Sequence, residues 1–173
     1  MSLAVSPGRL ITVVQGGHAV SSDPGAIITT VLGSCVATCL HDPLAGVGGL
    51  NHILLPEQQG DDGARIGACM MEVLINALLR KGAAKHRLEA KLFGGARMVA
   101  GLSDIGERNV AFATEFLARE GIICRSSCTG GTSGRRLRFW PVTGKLQQKR
   151  ISEPVPIKAP PPRPRDQGRV ELF

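Results

Sequence analysis

A chain of 173 residues, 43% hydrophobic and 20% charged, is long enough to bury a sizeable core and too apolar to be a disordered segment. Its formal net charge is +7, but aromatics make up only 3% and tyrosine is absent, so a nucleic-acid surface would lack the platform on which single strands stack. No apolar run approaches the roughly eighteen residues of a membrane span, and "MSLAVSPGRLITVVQ" has no basic region followed by a long apolar stretch and cleavage site, so a cytoplasmic location is expected.

Taken in chain order, "RLITVVQ", "GAIITTVL", "CVATCL" and "VGGLNHILL" read as four strands, followed by the Gly/Asp-rich loop "EQQGDDGA". Residues 65–81 predict a helix. Ile66, Met70, Val73, Leu74, Ala77 and Leu78 recur at helical spacing, Arg80 and Lys81 suit the C-terminal end of the dipole, and Gly82 can cap it. Cys69 within it reads as a small core residue. "LEAKLF" is a strand ending at Gly94-Gly95. Asp104 and Glu107 resemble a capping box opening a second helix with Val110, Ala113, Phe116 and Leu117 on one face and Gly121 as its stop. "GIICRSSC", "RRLRFWP" and "GKLQQKR" add three strands. The expectation is an α/β single-domain sandwich over residues 1–151, with a mixed, hairpin-rich β-sheet core flanked by two main helices. Residues 152–173 are proline-rich and predict a tail without a core.

The segment "TTVLGSCVATCLHDPLAGVGGLNHILLP" carries the chemistry. Asp42, Pro43 and Gly46 signal a hairpin turn, and a turn centred between residues 43 and 44 sets Cys35 opposite His52, on one face of the sheet, with Cβ atoms roughly 4.5–5.5 Å apart. A register slip of one residue would part them. A nucleophilic thiol needs a neighbouring base to lower its pKa, or amides pointing at it. His52 offers the first. The turn at Gly33 and Ser34 offers backbone N–H groups for the sulfur and for an oxyanion beside it, and a Thr29 or Thr30 hydroxyl is in range to orient the imidazole. A buried cysteine and a satisfied histidine on neighbouring strands are the plainer alternative.

Five cysteines argue against a disulfide framework. Cys35, Cys39, His41 and His52 could be weighed as zinc ligands, but C-x3-C in strand-like sequence is not the tighter ribbon spacing, and no metal or other cofactor is expected. Between Ser133 and Arg150 the chain carries Arg135, Arg136, Arg138, Lys145, Lys149 and Arg150 and no acid. An acidic protein partner fits this stretch, as does an ordinary solvated strand face. On a strand, Arg136 and Arg138 share one side and Arg135 takes the other.

T-x-x-x-G-S-C (Thr29 to Cys35), the "HDP" turn and "LNHILLP", together with "KLFGGARM", "IGERNVAFATEFLAREGI" and "GGTSGRRLRFWPVTGKL", resemble the CheD family of chemoreceptor glutamine deamidases. The likeness runs from about Gly25 to Arg150. It implies a Cys–His–Thr amidohydrolase of α/β sandwich fold, with Cys35 as nucleophile, His52 as base and Thr29 as third member, Thr30 being its neighbour. It also implies cytoplasmic helices of methyl-accepting chemoreceptors as substrate and a CheC-type phosphatase as a further partner; such helices being acidic, the basic stretch, with Arg136 and Arg138 on one side of its strand, is expected to face them. The alternative is a non-catalytic docking module on the same scaffold.

Overall fold

The computed structural model describes residues 8–56, 61–99 and 104–151. Within them the strands are β1 (Leu10–Thr12), β2 (His18–Ser21), β3 (Ile27–Leu32), β4 (Val36–Asp42), β5 (Val47–Asn51), β6 (Glu89–Gly94), β7 (Ile123–Thr129), β8 (Gly134–Phe139) and β9 (Leu146–Ile151). The helices are α1 (Asp61–Arg80) and α2 (Ile105–Arg119), with a 3-10 turn at Lys85–Arg87. The proline-rich stretch 152–173 lies outside the described residues.

The strands divide between two sheets, ordered β1-β3-β8-β9 and β2-β5-β4-β6-β7. β1 runs parallel to β3 and β6 parallel to β7, and the other pairings are antiparallel, so both sheets are mixed. Ile28, Leu32, Leu137 and Phe139 of the first sheet meet Ala37, Cys39, Leu50 and Phe93 of the second. On the second sheet's far side, Leu40, Val47 and Ala90 pack on Met71, Leu74, Ile75 and Leu78 of α1 and Phe116 and Leu117 of α2. The layers are therefore sheet, sheet, helices, and both helices cover one face. β4 is covered on both sides, which is why "VATCL" is continuously buried, whereas β3 and β8 alternate in exposure because the first sheet has a solvent face.

Several expected boundaries shift. α1 begins at Asp61, where Asp61 and Asp62 place negative charge at its positive end, and Cys69 is on its exposed side rather than in the core. Asp104 makes no side-chain capping bond at the start of α2. Glu107, the other half of the expected box, pairs instead with Arg97 at 3.0 Å. Among the described residues no helix is long and apolar enough to cross a membrane.

The β4–β5 hairpin turns one residue later than its sequence suggests. Asp42 pairs with Val47 and Cys39 with Leu50, because Asp42 Oδ1 accepts from the amides of Leu44 and Ala45, both at 3.0 Å, and closes a four-residue loop. Moving the turn by one moves the pairing by two. Ala37, not Cys35, therefore faces the position of His52, yet Cys35 and His52 keep the same face, since an even slip leaves side-chain direction unchanged.

Candidate active site

The β4–β5 ladder breaks where it would have paired His52. The Thr38 amide donates to the buried side-chain Oδ1 of Asn51 at 3.0 Å instead of to a backbone carbonyl. The His52 backbone turns to the loop before β2, donating to the Gly17 carbonyl at 3.1 Å and accepting from the Gly16 amide at 2.9 Å. The ladder resumes one step on, at Val36 and Ile53. This swing delivers the imidazole, 6% exposed, to Thr30. His52 Nδ1 lies 2.9 Å from Thr30 Oγ1, which itself donates to the Val13 carbonyl at 2.8 Å.

Those two bonds fix the tautomer. A carbonyl can only accept and a hydroxyl has one proton, so Thr30 must accept from the imidazole and the ring proton sits on Nδ1. Nε2 is left with its lone pair. Burial lowers the His52 pKa to about 4, so the ring is neutral at neutral pH and can take a proton.

Thr30, not Thr29, is the threonine the structure brings to the imidazole. Thr30 points between the sheets. Thr29, its neighbour on β3, points the other way and donates to the Leu137 carbonyl at 2.7 Å, as strand alternation requires.

Cys35 occupies the bend between β3 and β4. The carbonyls around it are all tied down: Gly33 accepts from the Ala96 amide at 3.0 Å, Cys35 from the Gly95 amide at 2.8 Å, and Ser34 from Asn109 Nδ2 at 2.9 Å. Gly94 must be glycine here, with φ 118° and a Cβ that would stand 2.2 Å from the Cys35 carbonyl oxygen. Asn109, wholly buried on α2, also accepts from the Leu55 amide at 3.0 Å. One side chain thus clamps the cysteine bend to the segment following His52. Among the described residues no carbonyl or carboxylate engages the Gly33, Ser34 or Cys35 amides.

The thiol is 8% exposed. Burial pushes its pKa up to about 11 against the pull of its own amide, which corrects the expectation that His52 lowers it. Sγ donates to Gln15 Oε1 at 3.9 Å, and no hydrogen bond joins it to the imidazole among the described residues. The resting pair is a neutral thiol and a neutral imidazole on the same side of the sheet, not an ion pair.

The remaining sequence candidates fall elsewhere. Cys39 is buried between the sheets, and His41 Nε2 bonds the Val142 carbonyl at 3.0 Å. No three His, Cys, Asp or Glu side chains gather as a metal site among the described residues. Arg136 and Arg138 stand on the solvent face of the first sheet, beside Val31 and Thr29, so the structure does not bring them to Cys35. Arg135 points inward, 2% exposed, and its guanidinium donates to the carbonyls of Cys128 and Gly130. Three polar side chains at the site were missed in the sequence: Gln15, Asn51 and Asn109. Asn109 had a signal, because it falls in phase with Ala113, Phe116 and Leu117 on the buried face of α2, where an asparagine needs partners.

Two stacked mixed sheets with helices on one face, and a buried histidine bonded across to a threonine of the facing sheet, are the features set beside known proteins. The family model described as "CheD chemotactic sensory transduction" matches residues 54–150. Curated relatives named "Probable chemoreceptor glutamine deamidase CheD" match four-fifths or more of the chain. That of Caulobacter sp. (strain K31) is 48% identical over 177 residues, covering 96% of this chain and 94% of the relative. That of Agrobacterium fabrum (strain C58 / ATCC 33970) is 48% identical and covers 95% and 97%. That of Rhizobium leguminosarum bv. trifolii (strain WSM2304) is 52% identical over 145 residues, covering 81% and 79%. The chain belongs to the CheD family. Among solved structures, Bacillus licheniformis "hypothetical protein YfiH" aligns at 13% identity with a TM-score of 0.42, over 73% of this chain and 60% of that one. Neisseria meningitidis protein NMB0706 aligns at 13% and 0.44, over 72% and 63%.

Proposed function

We propose that this protein is a chemoreceptor glutamine deamidase that hydrolyses glutamine side-chain amides on the cytoplasmic helices of methyl-accepting receptors, with Cys35 as nucleophile and His52 as base. The observation that carries the reading is the Val13–Thr30–His52 chain of hydrogen bonds, which leaves Nε2 of a buried imidazole unprotonated. The names of the relatives that cover the chain supply the substrate class.

Sγ attacks the glutamine Cδ as its proton passes to His52 Nε2, and the carbonyl oxygen becomes an oxyanion held by the amides of the Gly33–Ser34–Cys35 bend. The imidazolium returns the proton to the amide nitrogen, the C–N bond breaks, ammonia leaves and a thioester remains. Water, deprotonated by Nε2, attacks the thioester, and the proton returns to sulfur as glutamate is released. Substrate and water are the only reactants. Thr30 takes the positioning role that the family resemblance gave to Thr29.

Incubation of a receptor cytoplasmic fragment with the protein should raise its mass by about one unit per modified glutamine, NH2 being replaced by OH. A fragment that binds but keeps its mass would assign the chain to the docking class instead. Thr30→Val should lower kcat by roughly 10–100-fold, as losses of residues that orient a working side chain commonly do, while Thr29→Val leaves kcat unchanged. The reverse order would return the third role to Thr29.

Arg136 and Arg138, on the outer face, serve encounter with an acidic receptor helix rather than the chemistry. Reversing both charges should raise KM at constant kcat and flatten the salt dependence. An unchanged KM at low salt assigns them to solvent. A CheC-type phosphatase is the second partner this reading predicts, testable by co-elution with the purified chain.

A further inference from the structure

Gln15 is the one polar side chain that reaches the Cys35 sulfur among the described residues, with Oε1 3.9 Å from Sγ. Its backbone is fixed by the same groups that build the site. Val13, two residues before, donates its amide to the Thr29 carbonyl at 2.9 Å and accepts from Thr30 Oγ1. Gly16 and Gly17, just after, exchange hydrogen bonds with the His52 backbone. Gln15 and Gly16 are the central pair of a tight turn closed by the Gly17 amide on the Val14 carbonyl at 2.9 Å, and the Gly16 φ of 82° is that of a type II turn, which demands glycine there. The Gln15 side chain itself is exposed and has no other polar partner among the described residues, so its carboxamide is free to turn over.

In the resting state the protonated thiol donates to Oε1. Once that proton has passed to His52, the oxygen has lost its donor, and half a turn about the last side-chain bond presents Nε2–H in its place. The oxyanion forms two bonds from the sulfur. A donor at roughly 2.7–3.1 Å from that oxygen also stays close to the sulfur, and the carboxamide is found there, 3.9 Å from Sγ.

We propose that Gln15 is a catalytic residue of this reaction, a side-chain donor that joins the amides of the cysteine bend in holding the oxyanion. The inference rests on the deamidase reading and adds a group that neither the hairpin nor the family motifs single out.

The test compares wild type, Gln15→Ala and Gln15→Glu on a receptor cytoplasmic fragment, and follows Cys35 alkylation by iodoacetamide in the same proteins by peptide mapping. Both variants should lose about 10²–10³ in kcat, the usual cost of one oxyanion donor, with KM nearly unchanged. Alkylation displaces iodide at a saturated carbon and forms no oxyanion, so its rate should stay the same in Gln15→Ala. A kcat that holds or rises in Gln15→Ala overturns the inference, the rise marking Gln15 as an occupant of the substrate's place. Alkylation falling in step with kcat also overturns it, since Gln15 would then act on the thiol itself. Wild-type protein that leaves every receptor fragment unchanged in mass removes the deamidase reading and this inference together, whereas an active wild type with a fully active Gln15→Ala removes this inference alone.

Discussion

Replacing Cys35 with alanine is expected to leave receptor fragments at their starting mass, a loss of at least about 10⁴ in kcat, because no acyl intermediate can form without the sulfur. The fold should survive, since Cys35 sits in a bend whose carbonyls are anchored by Ala96, Gly95 and Asn109 and none of those bonds involves sulfur. Cys39→Ala, four residues along and packed between the sheets, should keep most activity. His52→Gln should be nearly as inactive as Cys35→Ala, for an amide can meet Thr30 but cannot carry a proton. The wild-type pH profile follows from the two shifted groups. His52 must be neutral to act, and with burial holding it near 4, kcat/KM should fall only as pH drops through about 4. The thiol stays protonated up to about 11, so a plateau should span the whole neutral range. An acid limb near the ordinary histidine value of about 6.5 would contradict a buried imidazole base. Iodoacetamide adds a cheaper check at neutral pH: the neutral, buried Cys35 should react more slowly than Cys69, which is exposed on α1.

The pairing of Cys35 with His52 on one face was legible because it depends only on parity. The turn was misplaced by a residue, Ala37 took the position expected of Cys35, and the shared face survived. Thr29 and Thr30 show the opposite limit. Adjacent residues on a strand differ in nothing but direction, and direction was settled by which face of β3 meets the second sheet, a long-range fact fixed by Ile28 and Leu32 packing on that sheet. The same gap explains why strand identities were readable while their division into two sheets was not. Alternation in β8 put Arg136 and Arg138 on one side and Arg135 on the other, as found, but it could not say that the first pair faces away from Cys35. Gln15, Asn51 and Asn109 escaped because each acts through one hydrogen bond or two to a distant backbone group. Local pattern records such partners only when, as with Asn109, a polar residue interrupts an apolar helical face.

Asp42→Ala should be the most destabilising substitution in the hairpin. The carboxylate is 0% exposed and satisfies the Leu44, Ala45 and Ala84 amides at 2.9–3.0 Å while pairing with Arg87, whose Nη2 is 3.0 Å from Oδ2. Burial alone would raise its pKa, but the Arg87 bond and those amides outweigh burial and hold it well below the usual carboxylate range. Removing one partner of a buried pair costs about 3–5 kcal/mol because the other is left unpaired, which for a chain of this size lowers Tm on the order of 10 °C. Asp42→Asn keeps the shape but turns an N–H toward the Ala84 amide and Arg87, so it should recover little of that loss. The acid dependence separates this group from His52. A carboxylate whose folded pKa is depressed stabilises above its unfolded value, near 3.9, and that contribution is lost as pH falls below it. The imidazole, depressed from about 6.5 to about 4, makes stability fall as pH drops between those values, since the unfolded chain then binds the extra proton. Melting curves taken from pH 7 to 3 should therefore decline in two windows in the wild type, the upper from His52 and the lower from Asp42. Asp42→Asn should start lower and retain only the upper window. If its Tm matches wild type at neutral pH, water reaches Arg87 and Ala84 in place of the carboxylate. The turn that sets His52 against Thr30 would then be held by the Gly46 amide on the Asp42 carbonyl, 2.9 Å, rather than by the buried charge.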